Sequence, residues 1–211
     1  MSYNNPKNRM FGKRGVVWVN IEAFYAQILS VPPEMLDPRL LEHTEQCKVK
    51  KGTILFQAGE VQGKLMFLMS GIVRGFLLDV NGRDITDCFV FRSGMPVMAS
   101  FELGERAPIS VEALTDCELV CLPVSLVQEL VERDVAYTLV YVRLLCAAVR
   151  AHWEMKAMLY QGSAKERYRW FLSTYPGLID QVKHKHIASF LGMSPVTLSR
   201  LRGEGRGAAK P

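Results

Sequence analysis

Between Cys47 and Pro123 the chain is cut by glycines into short β-rich runs, and no other stretch restricts its folding so much. The runs are Thr53–Phe56, Leu65–Ser70, Ile72–Asp79, Asp84–Phe91, Ile109–Leu114 and Glu118–Leu122. Gly52, Gly59, Gly63, Gly71, Gly94 and Gly104 mark breaks between and beside them. Asn81-Gly82, between two such runs, is a strong signal for a tight hairpin. Many short strands at this turn spacing predict an antiparallel sandwich or barrel.

Helical periodicity brackets that region. On the N-terminal side Ile21, Phe24, Tyr25, Ile28 and Leu29 fall on one helical face, and Val31-Pro32-Pro33 ends the helix. A second short helix is expected over roughly Pro33 to Gln46, with Met35, Leu36, Leu40 and Leu41 apolar. Residues 1–20 show little pattern and are expected to be a flexible end. On the other side a long helix is expected from about Leu126 to Tyr160. Val135, Leu139, Val142, Cys146, Val149, Trp153, Lys156 and Tyr160 alternate by four and three, a heptad seam of nearly four repeats. A seam of that length usually meets another helix, and the simplest partner is its own copy. The alternative is packing against its own barrel. Gln161-Gly162-Ser163 then breaks the helix as a hinge. Ser163 and Glu166 have capping-box spacing ahead of Tyr168, Phe171 and Leu172.

The stretch from His186 to Arg202 reads as two short helices around a turn. Ile187, Phe190 and Leu191 share one face, and Ala188 is small where a second helix must approach. Gly192 suits a turn with positive φ. Ser194 is a good N-cap, and Pro195 sits at the first helical position. Leu198 and Leu201 face inward, leaving Pro195, Val196, Ser199, Arg200 and Arg202 outward. This is a helix-turn-helix pattern, whose second helix would enter a DNA major groove. Similar helix pairs also occur in ordinary helical cores.

Charge placement bears on that choice. Residues 1–160 carry 17 Lys and Arg against 18 Asp and Glu, whereas residues 161–211 carry nine against three. A basic segment coinciding with a helix-turn-helix is the footprint of a phosphate-binding surface, although a solvated basic tail has the same composition. No uninterrupted apolar run of about 18 residues exists, so no membrane span is expected. Nor do the first residues have the build of a signal peptide, so the expected location is cytoplasmic. The five cysteines, Cys47, Cys88, Cys117, Cys121 and Cys146, are odd in number and irregularly spaced. They read as small buried side chains rather than disulfides or metal ligands. Cys117 and Cys121 share one face of a strand, but two thiols without a histidine make a poor metal site.

The order of barrel, seam helix, hinge and helix-turn-helix resembles the Crp/Fnr family of bacterial transcription regulators, from about residue 21 to 204. Lys51-Gly52-Thr53-Ile54-Leu55-Phe56-Gln57-Ala58-Gly59-Glu60 is similar to the family's opening barrel motif. Leu65–Arg74 and Ser110–Leu119 resemble later strand pairs, and Ser163–Tyr168 and His186–Gly192 resemble one branch of the family. The resemblance implies an α+β protein with an antiparallel double-stranded jelly-roll barrel like the cyclic nucleotide-binding domains (21–124). A dimerisation helix (125–161) and a DNA-binding helix-turn-helix domain (162–211) would follow. It implies double-stranded DNA as partner, a homodimer, an encounter with RNA polymerase, and a small-molecule effector of unidentified chemistry in the barrel. No cofactor, metal or catalytic residue is expected.

Two departures from the family pattern matter. Cyclic-nucleotide-binding members hold the phosphate with an Arg-Ser or Arg-Thr pair. Here Ala107 and Pro108 occupy those positions, with Arg106 one residue away. A buried phosphate would then lack a cationic partner, so cyclic AMP binding is not expected. In the second helix Val196 stands where many members have Glu, while Ser199-Arg200 is kept. Arg200 can reach guanine O6 and N7, Val196 only an apolar group such as a thymine methyl. Ser194, Thr197, Lys185 and Arg202 are candidates for phosphate contact, and Val135, Leu139, Val142, Cys146, Val149 and Trp153 for the dimer interface.

Other classes fare worse. A metal-dependent cupin needs histidines inside the barrel. His43, His152, His184 and His186 all lie outside the strand region, the last two expected as surface or phosphate-facing groups. No nucleophile–base pair or phosphate-binding glycine loop appears, so an enzyme is not expected. The alternative that remains is an interaction or ligand-sensing module whose helix-turn-helix no longer reads DNA. Val196 and the short, glycine-rich Gly203–Pro211 tail, with no room for a wing hairpin, allow it.

Overall fold

The computed structural model describes residues 20–207, with side-chain surroundings through residue 204; the expected flexible end, apart from Asn20, lies outside them. Among the described residues eight strands form two four-stranded antiparallel sheets. The first has the order β1 (Glu45–Val49), β8 (Cys117–Pro123), β3 (Lys64–Ser70) and β6 (Pro96–Val97). The second has the order β2 (Ile54–Phe56), β7 (Ser110–Ala113), β4 (Val73–Leu78) and β5 (Asp84–Val90). The sheets face each other as an open jelly-roll sandwich rather than a closed barrel. β1 and β6 are additions to the strands expected from the sequence. At the β4–β5 hairpin, Asp79 Oδ1 accepts from the Asn81 and Arg83 amides, both at 2.8 Å, and Gly82 has φ +74°.

Alternation along the strands sorts the side chains into separate cores. Leu68, Val73, Val90, Val97, Val111 and Leu119 point between the sheets. Leu65, Phe67, Val120 and Leu122 point outward from the first sheet and are covered by helices. α1 (Ile21–Leu29) brings Phe24 and Tyr25 to that face, α2 (Pro38–Glu42) brings Leu40, and α3 (Val124–Arg133) brings Leu126 and Leu130. Each such side chain, fully buried, contributes roughly 1.5–3 kcal/mol. The single helix expected over Pro33 to Gln46 is instead a 3-10 turn, Pro33–Met35, followed by α2. Asp37 caps α2 ahead of Pro38, which cannot continue a preceding helix. Thr44 then ends the segment as β1 begins.

The long helix is also divided. α3 ends at Asp134, whose backbone is extended (φ −132°, ψ 119°) and whose carboxylate accepts from the Ala136 amide at 2.8 Å. α4 (Val135–Gln161) starts there and runs 27 residues. By length and composition α4 could cross a membrane, with mean hydropathy 1.2 over its most apolar part. Arg143 and Arg150 interrupt it, however, and an arginine at a bilayer centre costs at least about 2.5–3.5 kcal/mol.

The remaining helices are α5 (Ala164–Thr174), α6 (Leu178–Gln181), α7 (His184–Phe190) and α8 (Pro195–Gly207). α6 is a single helical turn, and α8 continues into the glycine-rich segment. These helices build a third core on the outer side of the second sheet. Phe171, Phe190, Ile187, Leu191 and Leu198 pack there with Ile72 and Phe89. Phe89 meets the rings of Phe171, Tyr175 and Phe190 at centroid distances of 6.3, 6.2 and 5.1 Å, edge to face. The C-terminal helices are therefore joined to the sheet by an aromatic cluster. Leu172, on the far side of α5, is exposed.

Candidate nucleic-acid interface

The turn between α7 and α8 is closed by backbone bonds from Gly192 N to Ser189 O (3.0 Å) and from Met193 N to Ala188 O (2.9 Å). Gly192 has φ +58°, in the left-handed region. Ser194 Oγ accepts from the Thr197 amide at 3.1 Å, which satisfies one of the free donors at the start of α8. Ala188 is fully buried, which lets the two helices approach. Leu198 and Leu201 are buried beneath α8, fixing which side of that helix faces out.

On the outer side Pro195, Val196, Ser199 and Arg200 are exposed. Val196 is 79% exposed. The Arg200 side chain is 73% exposed, with only a 3.9 Å approach to Glu204 one turn on. Lys185 on α7 and Ser194 are also exposed. Thr197 is half-buried, its hydroxyl 2.9 Å from that of Ser194. Arg202 does not project outward as the sequence pattern suggests. Its guanidinium pairs with Asp180 Oδ1 at 2.7 Å and with the His184 ring, holding α8 to α6 and α7. His186 likewise departs from a surface role. It is buried, and burial together with the Arg74 guanidinium pushes its pKa down to about 4, so the ring is neutral near pH 7.

The heptad side chains of α4 form an open face. Val135, Leu139, Val142, Val149, Trp153 and Tyr160 are each between 46% and 81% exposed, and Cys146 and Lys156 lie along the same seam, Cys146 exposed. Lys156 Nζ stands 5.1 Å from the centre of the Trp153 ring. A shallow groove of about 350 Å³ runs along α4 between Val142 and Glu154, past Cys146 and Arg150. Cys146 is thus not a buried side chain, because its position on the seam points away from the α4 residues that touch the body.

Two contacts were not legible from the sequence. Arg167 on α5 donates to the carbonyls of Leu159 (3.1 Å) and Gly162 (3.4 Å) at the end of α4, and to that of Gly192 (3.4 Å) in the turn. One side chain thereby joins the seam helix, the hinge and the helix-turn-helix. The hinge is itself tightly built, with both halves of the Ser163–Glu166 capping box formed. A Cβ at Gly162 would stand 2.7 Å from the Met158 carbonyl oxygen. Arg74, the second contact, is fully buried on β4, where it pairs with Asp84 and Glu112 and bonds Thr86 Oγ1 at 3.0 Å. Only the spatial neighbours of these arginines reveal their roles, since in sequence each is one more positive charge.

Inside the sandwich, Ala107 is buried among the core side chains, its amide bonded to Glu60 O at 2.8 Å. Arg106 is exposed, and its Nη1 donates to Gly59 O at 2.7 Å. The side chain one residue from the family's arginine position therefore lies outside the interior. Among the described residues the fully buried guanidinium is Arg74, and it alternates with the inward-facing Val73.

Residues 46–134 match the family described as the cyclic nucleotide-binding domain. Over the longer chain, the structure is similar to that of FixK2 from Bradyrhizobium japonicum, at 17% identity and a TM-score of 0.72. The match covers 78% of this chain and 85% of that one. The chain has the Crp/Fnr fold. Similar in the same way is CLP, the c-di-GMP-responsive global regulator of Xanthomonas campestris. It is 18% identical, with a TM-score of 0.64 and coverage of 81% of this chain and 90% of that one. A CRP-family transcriptional regulator of Thermus thermophilus has 21% identity, a TM-score of 0.61, and coverage of 77% and 85%. No curated protein sequence matches the chain. In this arrangement α4 connects the sandwich to the helix pair α7–α8.

Proposed function

We propose that the protein is a sequence-specific DNA-binding transcription regulator acting as a homodimer, with no enzymatic activity of its own. The observation that carries this reading is the outer side of α8. Arg200 and Val196 are exposed on a helix whose start is capped and whose opposite side is locked by Leu198 and Leu201. Arg200 would pair with guanine O6 and N7, a contact worth roughly 1–3 kcal/mol of discrimination. Val196 would contact an apolar base edge, with Pro195 and Ser199 beside it. Ser194, Thr197 and Lys185 would meet phosphates. Arg202, held by Asp180, would instead support the helix from behind.

Two copies would pair through Val135, Leu139, Val142, Cys146, Val149 and Trp153, covering an apolar face that is open in the single chain. Their recognition helices would then read a near-palindrome with half-sites about one helical turn, roughly 34 Å, apart. Cyclic AMP is not the effector in this reading, because Ala107 is packed in the core and Arg106 is turned to Gly59 outside it. A different effector in the sandwich, and RNA polymerase as a further partner, fit the arrangement. The site of action is the cytoplasm.

A gel-shift against DNA upstream of the protein's own gene, at two salt concentrations, tests the reading. Specific binding that weakens steeply with salt supports it, since phosphate contacts release counterions. Absence of binding at low salt, to that DNA and to sequences selected from random pools, would favour an interaction module.

A further inference from the structure

The thiols of Cys47 and Cys121 lie 3.1 Å apart. Cys47 is on β1 and Cys121 on β8. The register sets Cys47 opposite Leu119 and Glu45 opposite Cys121, so the two cysteines are diagonal neighbours across an antiparallel pair. Both side chains pack with the core between the sheets. A disulfide needs its sulfurs about 2.05 Å apart, so closure takes roughly 1 Å of sulfur movement. The remaining thiols are placed differently. Cys117 is turned to the Thr115 carbonyl at 3.3 Å, Cys88 is against Gly75, and Cys146 is on the exposed side of α4.

The two thiols are not equivalent. Cys47 is half-buried, whereas Cys121 is only 2% exposed. The hydrogen bond from Cys121, helped by the nearby Lys64 ammonium, draws the Cys47 thiol down to about 7. Cys121 is pushed up by the same hydrogen bond and by burial. The more accessible sulfur is therefore also the one whose ionisation its surroundings favour.

We propose that Cys47 and Cys121 form a reversible dithiol–disulfide site for small peroxides, with Cys47 as the attacking and Cys121 as the resolving sulfur. The Cys47 thiolate attacks a peroxide oxygen; the O–O bond breaks, leaving a sulfenic acid on Cys47 and releasing hydroxide, which takes up a proton. With Cys47 now neutral, the neighbouring charge that opposed ionisation of Cys121 is gone. Cys121 loses its proton and attacks the Cys47 sulfur; the S–S bond forms, the S–O bond breaks, and water leaves. Two thiols are oxidised by two electrons and hydrogen peroxide is reduced to two waters. A cellular thiol such as glutathione returns the pair to the dithiol by exchange. This site is independent of whether α8 reads DNA.

The test uses the full chain, reduced and then treated with hydrogen peroxide, with remaining thiols alkylated and the protein mapped by mass spectrometry. The expected result is loss of two of the five thiols, a peptide linking Cys47 to Cys121, and full recovery with dithiothreitol. In Cys121→Ser a sulfenic acid on Cys47 should be trapped by dimedone, and Cys47→Ser should slow thiol loss about tenfold or more. Unreacted thiols, a sulfinic acid on Cys47 without the link, or a link through any other cysteine would overturn the proposal. The wild-type map decides the matter even if a variant fails to fold.

Discussion

Ser189 on α7 takes a hydrogen bond from the Thr86 amide at 3.0 Å and gives one to the Asp84 carbonyl at 3.3 Å. A side chain of the helix-turn-helix thus completes backbone bonding on β5. Just beneath, Arg74 binds the Asp84 carboxylate and the Thr86 hydroxyl, so the sheet side of this contact is held rigid. This polar fastening lies beside the aromatic cluster around Phe89, and Arg92 adds another by donating to Thr174 O on α5 at 3.2 Å.

Removing the Ser189 contact should loosen the docking of α7. Ser189→Ala leaves the Thr86 amide without its partner, at a cost of about 1–3 kcal/mol. Urea unfolding should show the loss, and hydrogen exchange at Thr86 should accelerate while exchange at Leu119 in the first sheet stays slow.

Acid should weaken the same region. The folded chain binds a proton at His186 only near pH 4, the unfolded chain near 6.5. The unfolded state therefore holds more protons between those values, and stability is full above about 6.5 and falls as pH drops through this window. A contribution of roughly 1–3 kcal/mol is expected. The Arg74 bond keeps Asp84 below the usual carboxylate range, so its own loss falls at lower pH. Denaturant midpoints measured between about pH 7 and 4 should show the slope, and His186→Gln should flatten it.

Arg200 and Arg202 should separate cleanly. Arg200→Ala is expected to cost about 1–3 kcal/mol of preference for the selected DNA over random DNA, with little change in stability. Arg202→Ala should lower thermal stability by releasing Asp180 and His184 while leaving the preference in place. Competition gel-shifts and thermal melts on both variants distinguish these outcomes. An Arg200→Ala protein with undiminished preference would remove that residue from the reading surface.

The open face of α4 gives a prediction about assembly. Val142→Asp with Val149→Asp places two charges on the heptad seam, where burial without a partner is costly. Sedimentation should show dimers for the wild type at micromolar concentration and monomers for the double variant. A wild type that stayed monomeric would leave the seam without its proposed partner.

Much of this architecture was legible because it is local. Asn81-Gly82, the Ser163–Glu166 box, Gly192, Ser194-Pro195 and the Leu198–Leu201 pair each act within a few residues, and each has the geometry its residue types favour. The strand runs were visible through glycine punctuation, except β1 and β6. β1 alternates weakly, because Glu45, Gln46 and Lys48 line an edge, and β6 is only two residues long. The break at Asp134 is hidden in the sequence for a similar reason. One extended residue between two apolar helical patterns leaves the periodicity almost unbroken. The site was harder to read, because Arg167, Arg74, Arg202 and His186 acquire their settings from distant positions or from separate elements. The thiol pair likewise depends on a strand register spanning 74 positions.

The three hydrogen bonds of Arg167 have a mechanical consequence. Leu159, Gly162 and Gly192 each lend a carbonyl to one guanidinium, whose Nε is buried with no partner of its own. A small twist of α4 about its long axis shifts two of those oxygens and must drag the third or let it go. The twist of α4 is thereby passed to the tilt of α8, much as a rudder follows its tiller.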